Sequence, residues 1–490
     1  MAATPCALQG CGSTISLVAG GWRVRGRLRR WVTGLAVLAC AAGLLLRLGT
    51  PAAVGATGPR FLTDAQGRTL ILYGLNADDS GAATPAPSPS DELALLGDDF
   101  TRILLHWSRV EPRPGHYDDA YLADLVLRIE RYAAAGDHVL LAMTQDAYGP
   151  PPGSAAAPAA VDAARIHAAD EFWRTLGDAP DLQDRYAAAW AHVASYLGAH
   201  LPRASGPSTV ADALVGYDLL DRPWGGSLQG PAFETGALAA LYERVIARVR
   251  AVDPDRWLFV EPEADSADAG LPSALPYLPD PRHGAARIGY APQLHPAPVD
   301  PHGGYSGSGA FWADRFVNSW AIQAARTAKR LNAPLLVGGW GMDFTAPGAH
   351  LYVDHVQALL DRLMVGSACC TDVPGPWSPW AKPGKAADIA GVLETAYPRV
   401  VAGAPVEFDY DKGTLVFTLQ FRDEPGVTGS TDVYLPPSDF PFGPQIDFDA
   451  EYNATWDPGR HILALTVDRP TPGTVHTLRL TPASQTQNVG

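Results

Sequence analysis

Five acidic side chains lie within or shortly after three apolar segments that have the character of strands: Asp218, Asp221, Glu261, Glu263 and Asp343. Carboxyl groups brought together in this way can donate protons, accept protons or attack as nucleophiles. For the first four the alternative is structural, because these groups can form ion pairs or cap loops, with Arg102 and Arg222 as candidate partners. Neighbouring side chains of a strand point to opposite faces, so Asp221 and Arg222 are not expected to point the same way.

Five tryptophans lie at or just after the ends of predicted strands: Trp107, Trp224, Trp340, Trp377 and Trp380. A flat aromatic face can stack on a sugar ring, but barrel rims are also lined by aromatic side chains that serve only as packing. Trp340 is the most interesting of the five, because Gly339 beside it leaves space in front of the ring. Both interpretations, ligand stacking and packing, stay open at this point.

The segments that must position these side chains alternate with helical patterns, which is typical of βα units. Eight apolar runs occupy residues 70–77, 100–107, 138–145, 211–220, 257–263, 287–295, 334–341 and 368–377. Amphipathic stretches lie between them, at residues 121–135, 185–200, 238–252 and 312–331. Eight such repeats predict an α/β fold, a (β/α)₈ TIM barrel, over residues 57–399. Two long loops rich in Pro, Ala and Gly, 78–90 and 148–160, are expected on the face where barrels build binding sites.

The pattern of apolar and polar residues changes beyond residue 399. Alternating apolar and polar residues predict strands at 406–410, 414–421, 431–435, 446–449, 461–467 and 474–480, with turn residues between the last of these. No helical pattern interrupts them, so residues 400–490 are predicted to form a small antiparallel β-sandwich.

Composition excludes several classes of protein. The chain has 490 residues, of which 47% are hydrophobic and 18% charged, with a net charge of −15. This composition argues against a disordered chain and against a multi-span membrane protein. The acidic balance argues against a partner that is nucleic acid. Beyond the N-terminal region only the adjacent pair Cys369 and Cys370 remains, and no Cys or His spacing resembles a metal site, so no metal or cofactor is predicted.

The pattern of the N-terminal 56 residues predicts an export segment. Five arginines between residues 23 and 30 precede an apolar run at 31–46, and Val54-Gly55-Ala56 has the character of a signal-peptidase site. An uncleaved membrane anchor is the alternative. Either reading predicts an extracellular or cell-surface protein, and the second predicts membrane association through this segment.

Seven stretches resemble family 5 glycoside hydrolases, most closely their endoglycoceramidase-like branch: FTRILLHW (100–107), VEPRPGHYDDAYL (110–122), MTQD (143–146), VGYDLLDRPW (215–224), FVEPE (259–263), YAPQLH (290–295) and LVGGWG (336–341). The resemblance covers the barrel from about Pro59, and the C-terminal sandwich also matches that branch. It implies a barrel built to cleave glycosidic bonds between two carboxyl groups, which in retaining enzymes lie about 5–5.5 Å apart.

Both catalytic positions of the family are substituted in this sequence. The family acid/base glutamate follows asparagine at strand four, and the matching pair here is Asp221 and Arg222. The family nucleophile is the glutamate of a Gly-Glu-Phe-Gly type sequence at strand seven, and the matching residue is Gly339. An arginine does not donate a proton at neutral pH, and glycine has no nucleophile. The resemblance therefore implies that neither role is filled.

Other positions of the family motifs imply a binding cleft for a carbohydrate or glycolipid. Several family residues persist and others are replaced, giving the candidate binding residues Arg102, Gln145, Asp146, Tyr217, Gln293, His295 and Trp377, to which the stacking candidates Trp107, Trp224 and Trp340 are added. Thr144, Gln293 and His295 depart from the family pattern.

Two functions are compatible with these residues. The first is an exported, catalytically impaired glycosidase homologue that binds glycans or glycolipids in the barrel cleft. The second is an active O-glycosyl hydrolase that uses relocated carboxylates, for which Asp221, Glu263 and Asp343 are the candidates.

Overall fold

The computed structural model describes residues 60–78, 96–145, 158–173, 182–202, 209–296, 299, 304–382 and 385–484. Several predictions fall outside these residues: the export segment of residues 1–56, the binding candidate Asp146, and most of the loops at 78–90 and 148–160. Within the described ranges, no helix combines the length of a bilayer span with a sufficiently apolar composition.

The first predicted run, 70–77, divides into two strands. Strand β1 (Thr69–Leu70) pairs antiparallel with Val400 and Val401 near the C-terminal sheets, whereas β2 (Tyr73–Asp78) enters a parallel sheet. Residues 70, 71 and 72 are all buried. Because the chain remains apolar where it crosses from one sheet to the other, the sequence shows no break there.

A parallel sheet forms the predicted barrel. Its described strands are β2, β3 (Phe100–His106), β4 (His138–Thr144), β5 (Leu214–Asp218), β6 (Trp257–Val260), β7 (Ile288–Tyr290), β8 (Gln293–Leu294), β9 (Leu336–Trp340) and β10 (Gly366–Thr371), in the order β7-β6-β5-β4-β3-β2-β10-β9-β8. β7 and β8 are two parts of the run predicted at 287–295, and Tyr290 makes a further parallel bridge to Leu335. The two edges of the sheet therefore belong to one predicted strand, and the sheet closes on itself.

Helices lie between the strands, as the alternation predicts. The described helices are α1 (Trp107–Val110), α2 (Asp119–Ala135), α3 (Pro158–Trp173), α4 (Leu182–His200), α5 (Val210–Ala213), α6 (Pro231–Phe233), α7 (Ala239–Arg250), α8 (Ala264–Ala267), α9 (Gly307–Leu331), α10 (Ala349–Leu363) and α11 (Ala390–Leu393), and a π-helical turn (Glu234–Leu238) precedes α7. In α2, Asp118 caps the first turn, Gly136 ends the helix with a φ of 86°, and the buried face repeats Leu122, Leu125 and Ile129. This is the periodicity that predicts the helix.

Antiparallel sheets follow the barrel, as predicted. The strands are β11 (Trp380–Lys382), β12 (Lys385–Ala386), β13 (Tyr397–Val401), β14 (Ala404–Asp411), β15 (Val416–Arg422), β16 (Thr431–Tyr434), β17 (Pro444–Phe448), β18 (Tyr452–Asp457), β19 (Ile462–Val467) and β20 (Val475–Pro482). They form a five-stranded sheet, β1-β13-β16-β19-β18, a four-stranded sheet, β14-β15-β20-β17, and a β11-β12 hairpin. Alternate residues are buried in β15, namely Phe417, Leu419 and Phe421, which gives the sheet one core face.

Four of these strands are absent from the sequence prediction, namely the short β11 and β12 and the longer β13 and β18. The residues of β18 are almost all exposed, so no apolar alternation marks this strand, and it forms through its ladder with β19. All the residues of β13 are buried, which conceals the alternation for the opposite reason. The predicted boundary between residues 399 and 400 falls within β13, and it stays a prediction.

Candidate functional site

Arg102 of β3 is the centre of a buried ion cluster inside the barrel. Its Nη2 donates to Asp218 Oδ2 at 2.7 Å, to Asp221 Oδ1 at 2.8 Å and to Glu261 Oε1 at 2.7 Å. Its Nε donates to Asp218 Oδ2 at 2.9 Å, and Nη1 donates to Asn76 Oδ1 at 3.0 Å. The side chains of Arg102 and Asp218 are 1% and 0% exposed. For these three carboxylates, the structural interpretation of the sequence, ion pairing with Arg102, is confirmed.

The strand register brings these groups together. Arg102 pairs across the β2–β3 ladder with Asn76, and Asp218 is the last residue of β5. Successive side chains of a strand alternate, so Tyr217 points to the other side of the sheet. There its hydroxyl donates to Asp253 Oδ2 at 2.8 Å, and Tyr217 is fully buried. Tyr217, a candidate binding residue, is therefore not part of the Arg102 cluster.

Gln293 of β8 closes the cluster on another side. Its Nε2 donates to Asp221 Oδ1 at 3.0 Å and to the two carboxylate oxygens of Glu261 at 3.2 and 3.3 Å. Its Oε1 lies 3.0 Å from His295 Nε2, and an amide oxygen only accepts, so the imidazole carries its proton on Nε2. Burial, and then the charge of Arg222, lower the pKa of His295 to about 4. The ring is therefore neutral at neutral pH.

The buried cluster holds more carboxyl groups than cations. Burial raises the pKa of Glu261 well above its usual range, and the nearby Asp218 charge raises it further. Burial also raises the pKa of Asp218, against the opposing effect of Arg102. Asp218 Oδ1 is buried and has no hydrogen-bond partner among the described residues. The Asp218–Glu261 pair therefore takes up a proton more readily than free carboxyl groups do, and its two members titrate as a unit.

Arg222 turns away from the buried cluster. Its φ is 46°, so the chain has left the extended conformation after β5. Its backbone N–H donates to Glu261 Oε2 at 3.0 Å, while its side chain, 50% exposed, extends to Asp268, with 3.4 Å between Nε and Oδ2. Burial raises the pKa of Asp268 to about 8, although Arg222 opposes the shift. Asp221 and Arg222 thus have different partners, but both lie in a bend after β5, where the strand alternation from which their directions were predicted does not apply.

Gly339 of β9 lies in register with Gln293 of β8. A Cβ atom at residue 339 would lie 2.7 Å from Gln293 Oε1 and 3.1 Å from its Cδ. At Gly338 a Cβ atom would lie 2.9 Å from the carbonyl oxygen of Ala291 and 3.4 Å from Glu261 Oε1. The amide of Gln293 therefore occupies the space that a side chain at residue 339 would need.

Glu263 and Asp343 make their hydrogen bonds outside the Arg102 cluster. Glu263 is 1% exposed, and its Oε2 accepts from the N–H of Gly230 at 2.8 Å and from Ser266 Oγ at 2.5 Å. Asp343 Oδ1 accepts from the N–H and the hydroxyl of Thr345 at 2.8 and 2.5 Å. In the described structure, neither carboxylate is among the partners of the Arg102 cluster. Each carboxylate stabilises a loop through these hydrogen bonds, and for Glu263 this is the capping role considered from the sequence.

Three of the five tryptophans are buried. Trp107, Trp340 and Trp380 are 7%, 3% and 0% exposed. Trp340 donates its Nε1–H to Ser367 Oγ at 3.1 Å, and its ring packs near Tyr352 of α10 at a centroid distance of 6.4 Å. The open space expected in front of Trp340 is therefore not found, because the ring belongs to the layer between sheet and helices.

The remaining two tryptophans, Trp224 and Trp377, are partly exposed. The guanidinium of Arg165 lies 4.3 Å from the centroid of the Trp224 ring. Trp377 follows β10, and its carbonyl accepts from the N–H of Thr371 at 3.2 Å. Gln145, at the end of β4, is only 4% exposed. Trp224 and Trp377 are thus the two predicted tryptophans that are not fully buried, and Arg165 lies over the ring of Trp224.

Sequence reasoning missed two residues of this region, Asn76 and Asp268. Neither lies in a motif with a chemical role, and only the fold places them beside Arg102 and Arg222. The described residues contain no group of three or more His, Cys, Asp or Glu side chains arranged to hold a metal ion. The positive charge inside the barrel is instead that of Arg102.

This combination of closed parallel barrel, carboxyl cluster within it and trailing antiparallel sheets defines a TIM-barrel protein of the glycoside hydrolase type. The family model of the glycoside hydrolase family 5 C-terminal domain matches residues 396–480. Endo-glycoceramidase II from Rhodococcus sp., in its complex with ganglioside GM3, is 32% identical with a TM-score of 0.78, over 87% of this chain and 100% of that chain. Its complex with a cellobiose-like isofagomine is 33% identical with a TM-score of 0.76, at the same coverage. The chain belongs to glycoside hydrolase family 5, among the relatives of the endoglycoceramidases.

A further relative agrees with this assignment. Endoglycoceramidase I of Rhodococcus hoagii (strain 103S) is 25% identical over 448 residues, which cover 84% of this chain and 86% of that protein. The predicted family, and the TIM barrel followed by antiparallel sheets, are therefore confirmed. The correspondence of Arg222 and Gly339 to the two catalytic glutamates stays a prediction.

Proposed function

We propose that this protein is an exported relative of the endoglycoceramidases that binds a glycan or glycolipid at the mouth of its barrel without cleaving it by the retaining mechanism. The observation that carries the proposal is the engagement of the carboxyl groups. Asp218, Asp221 and Glu261 all bond to Arg102, and residues 222 and 339 are arginine and glycine. A retaining enzyme needs one ionised nucleophile and one proton donor, both free to reach the sugar.

The proposed class of ligand rests on the ligands of related solved structures and on a partly exposed tryptophan of this chain. Related solved structures include a complex with ganglioside GM3 and a lactosyl-enzyme intermediate of endo-glycoceramidase II. Trp377 is partly exposed, and an exposed aromatic ring suits the apolar faces of sugars. Saturable binding of lactose-type glycans is therefore expected even without turnover.

One observation favours a second function, hydrolysis by relocated carboxyl groups. Asp268, whose pKa burial raises to about 8, carries a proton at neutral pH and lies beside Arg222. Asp221 is the member of the Arg102 cluster with some exposure, 14% of its side chain. In an inverting mechanism, the protonated Asp268 would be the acid and Asp221 the base. This candidate ranks second because Arg102 and Gln293 both hold Asp221 Oδ1.

Hydrolysis assays separate the two functions. The full chain is incubated with a fluorogenic lactoside and with GM3, beside Asp221→Asn, Asp268→Asn and the control Asp343→Asn, whose carboxylate only ties a local turn. The proposal expects no turnover above the heat-denatured protein in any variant. Turnover that is lost in Asp221→Asn or Asp268→Asn but kept in Asp343→Asn would overturn the proposal in favour of relocated chemistry. Absence of saturable binding to any glycan would contradict the binding role itself.

Export is the part of the proposal that rests on residues 1–56. The basic stretch and the apolar run support it. Fractionation of cells that express the full chain with a C-terminal tag tests this, with the tag expected outside the cytoplasmic membrane. A wholly cytoplasmic tag would remove export and leave the proposal for the barrel unchanged.

A further inference from the structure

The long helix α9 leaves large apolar side chains open to solvent. Phe311 and Trp312, near its start, are 55% and 58% exposed, and Ile322, three turns beyond Phe311, is 51% exposed. Leu351 of the next helix, α10, is 63% exposed, and it lies one turn before His355, which is within ion-pair distance of α9. Single exposed apolar residues are common on protein surfaces, but a group of them marks a surface that contacts a partner.

The same side of α9 is basic. Helical periodicity places five exposed residues on one side of this helix: Phe311, Arg315, Ile322, Arg326 and Lys329. Within the part of the chain that the structure describes, none of the three cations in this group has a carboxylate within ion-pair distance. The whole helix contains four cations and one carboxylate, in a chain whose net charge is −15. The basic side of α9, as these five residues are called below, is therefore a local exception to an acidic surface.

Arg315 joins the aromatic rings and the positive charge into one exposed unit. Its guanidinium carbon lies 5.8 Å from the ring centroid of Phe311 and 5.9 Å from that of Trp312. The two rings meet edge to face, with 5.3 Å between their centroids. The one carboxylate of α9, Asp314, accepts a hydrogen bond from Tyr305. The start of α9 therefore presents two aromatic rings and a cation together to the solvent.

We propose that the basic side of α9 docks on an anionic lipid bilayer, with Phe311 and Trp312 in the headgroup region and the cations against lipid phosphates. Aromatic side chains suit that depth of a membrane, where an apolar interior meets a polar boundary. Arginine and lysine are attracted by the negative surface potential of anionic lipids. This contact lies along the surface of the bilayer and does not cross it. It goes beyond the proposed function, because it involves neither the glycan site nor residues 1–56.

The charge and the shape of the molecule favour this partner. With a net charge of −15, the rest of the surface is repelled by anionic lipids, so the basic side of α9 is the side that turns toward them. The outer side of a helix is convex, whereas a small ligand is held in a concave pocket. A planar layer of lipid headgroups can contact such a helix along its length.

Co-sedimentation of the full chain with lipid vesicles tests the inference. Vesicles of phosphatidylcholine alone are compared, at low salt, with vesicles of phosphatidylcholine and phosphatidylglycerol. The partition coefficient is expected to be higher for the vesicles with phosphatidylglycerol and to fall as salt is added, because salt screens exposed charges. Residues 1–56 are present in every protein compared, so differences between variants do not arise from them. Equal partitioning into both kinds of vesicle would overturn the inference.

Substitutions assign the lipid contact to the basic side of α9. Arg326→Gln and Lys329→Gln are each expected to lower the partition coefficient for the anionic vesicles about fivefold. Arg469→Gln is the matched control, because this side chain is 88% exposed and lies in the C-terminal sheets. Trp312→Ala is also expected to lower the coefficient, whereas Leu127→Ala, at a residue of α2 that is 50% exposed, is expected to leave it unchanged. If the variants of α9 partition as their controls do, the inference is wrong.

A second copy of the chain is the alternative occupant, because the basic side of α9 is complementary in charge to an acidic surface. Sedimentation velocity without lipid distinguishes the two. The unaltered chain and Trp312→Ala are expected to have the same oligomeric state, since the contact is made with lipid. A dimer of the unaltered chain that dissociates in Trp312→Ala would assign this surface to self-association and overturn the inference.

Discussion

Arg102 Nη2 lies 2.7 Å from Asp218 Oδ2, and both side chains are buried in the barrel, at 1% and 0% exposure. A carboxylate in such a place is stable only because a cation accompanies it. The same guanidinium also contacts Asp221 and Glu261, so the charge balance of the whole cluster depends on one side chain. The carboxyl groups of this cluster are therefore held as part of the folded core of the barrel.

Replacement of Arg102 by glutamine is expected to destabilise the protein strongly. Loss of one partner leaves uncompensated buried carboxylates, which typically costs about 3–5 kcal/mol. The cost is expected to grow as the pH rises, because protonation of Asp218 and Glu261, whose pKa values burial raises, relieves the repulsion at low pH. Denaturant unfolding followed by circular dichroism measures both effects. The control is Arg422→Gln at an exposed ion pair, expected to cost about 0–1 kcal/mol, and a similar small cost for Arg102→Gln would contradict the central role of Arg102.

Asp268 is expected to make the protein less stable as the pH rises. Burial raises its pKa from the ordinary 3.8 to about 8, so between these values the folded state holds a proton that the unfolded chain has released. Stability therefore falls across this window, by up to about 1.4 kcal/mol for each unit of pKa difference. Asp268→Asn cannot ionise, so it is expected to gain stability relative to the unaltered protein between pH 5 and pH 8.5.

Other buried carboxyl groups also lower the stability of the folded protein as the pH rises. Burial also raises the pKa of Asp137 and of Asp361, each to about 7. They remain in both proteins, so the difference between the unfolding curves of Asp268→Asn and the unaltered chain isolates Asp268. If the free energies of unfolding of the two proteins depend on pH in the same way, the pKa of Asp268 is not raised.

The sequence predicts the scaffold better than the directions of its side chains. Apolar runs reveal all the barrel strands, because burial demands apolar residues on both faces of a parallel sheet. For that reason they do not tell which residues face inward, and Tyr217 and Trp340 point to the helices. Asp268 shows a second limit of prediction from the sequence. It lies where the sequence has no periodic pattern, and its ion pair with Arg222 joins two separate βα units.

Substitutions of Tyr217 and Trp377, both predicted binding residues, are expected to have opposite effects on stability and on glycan affinity. Tyr217→Phe removes a buried hydrogen bond to Asp253 and leaves its carboxylate without that donor, which is expected to cost about 1–3 kcal/mol of stability. Glycan affinity is expected to stay unchanged, because the hydroxyl lies on the helix side of the sheet. Trp377→Ala is expected to do the reverse, with glycan binding weakened by about 3- to 10-fold through lost stacking and stability nearly unchanged. Calorimetric binding and thermal unfolding of the same two preparations check this, and a loss of affinity in Tyr217→Phe would be the contrary result.

Gly339 offers the most direct test of how tightly the mouth is packed. In Gly339→Ala the new methyl group meets Gln293 Oε1 at 2.7 Å, too close for a carbon–oxygen contact, so the amide must move. Movement weakens the hydrogen bonds from Gln293 to Asp221 and Glu261, which are buried and charged. The expected loss is about 1–3 kcal/mol, measured by denaturant unfolding.

The matched control is Gly236→Ala, because a Cβ atom at residue 236 would meet open space and its helical backbone has no positive φ. Gly236→Ala is therefore expected to be neutral or stabilising by up to about 1 kcal/mol. In the double variant Gly339→Ala with Gln293→Ala, the close contact is removed. If Gly339→Ala is as stable as the unaltered chain, the Gln293 amide is not fixed by its partners and the cluster is looser than these contacts imply.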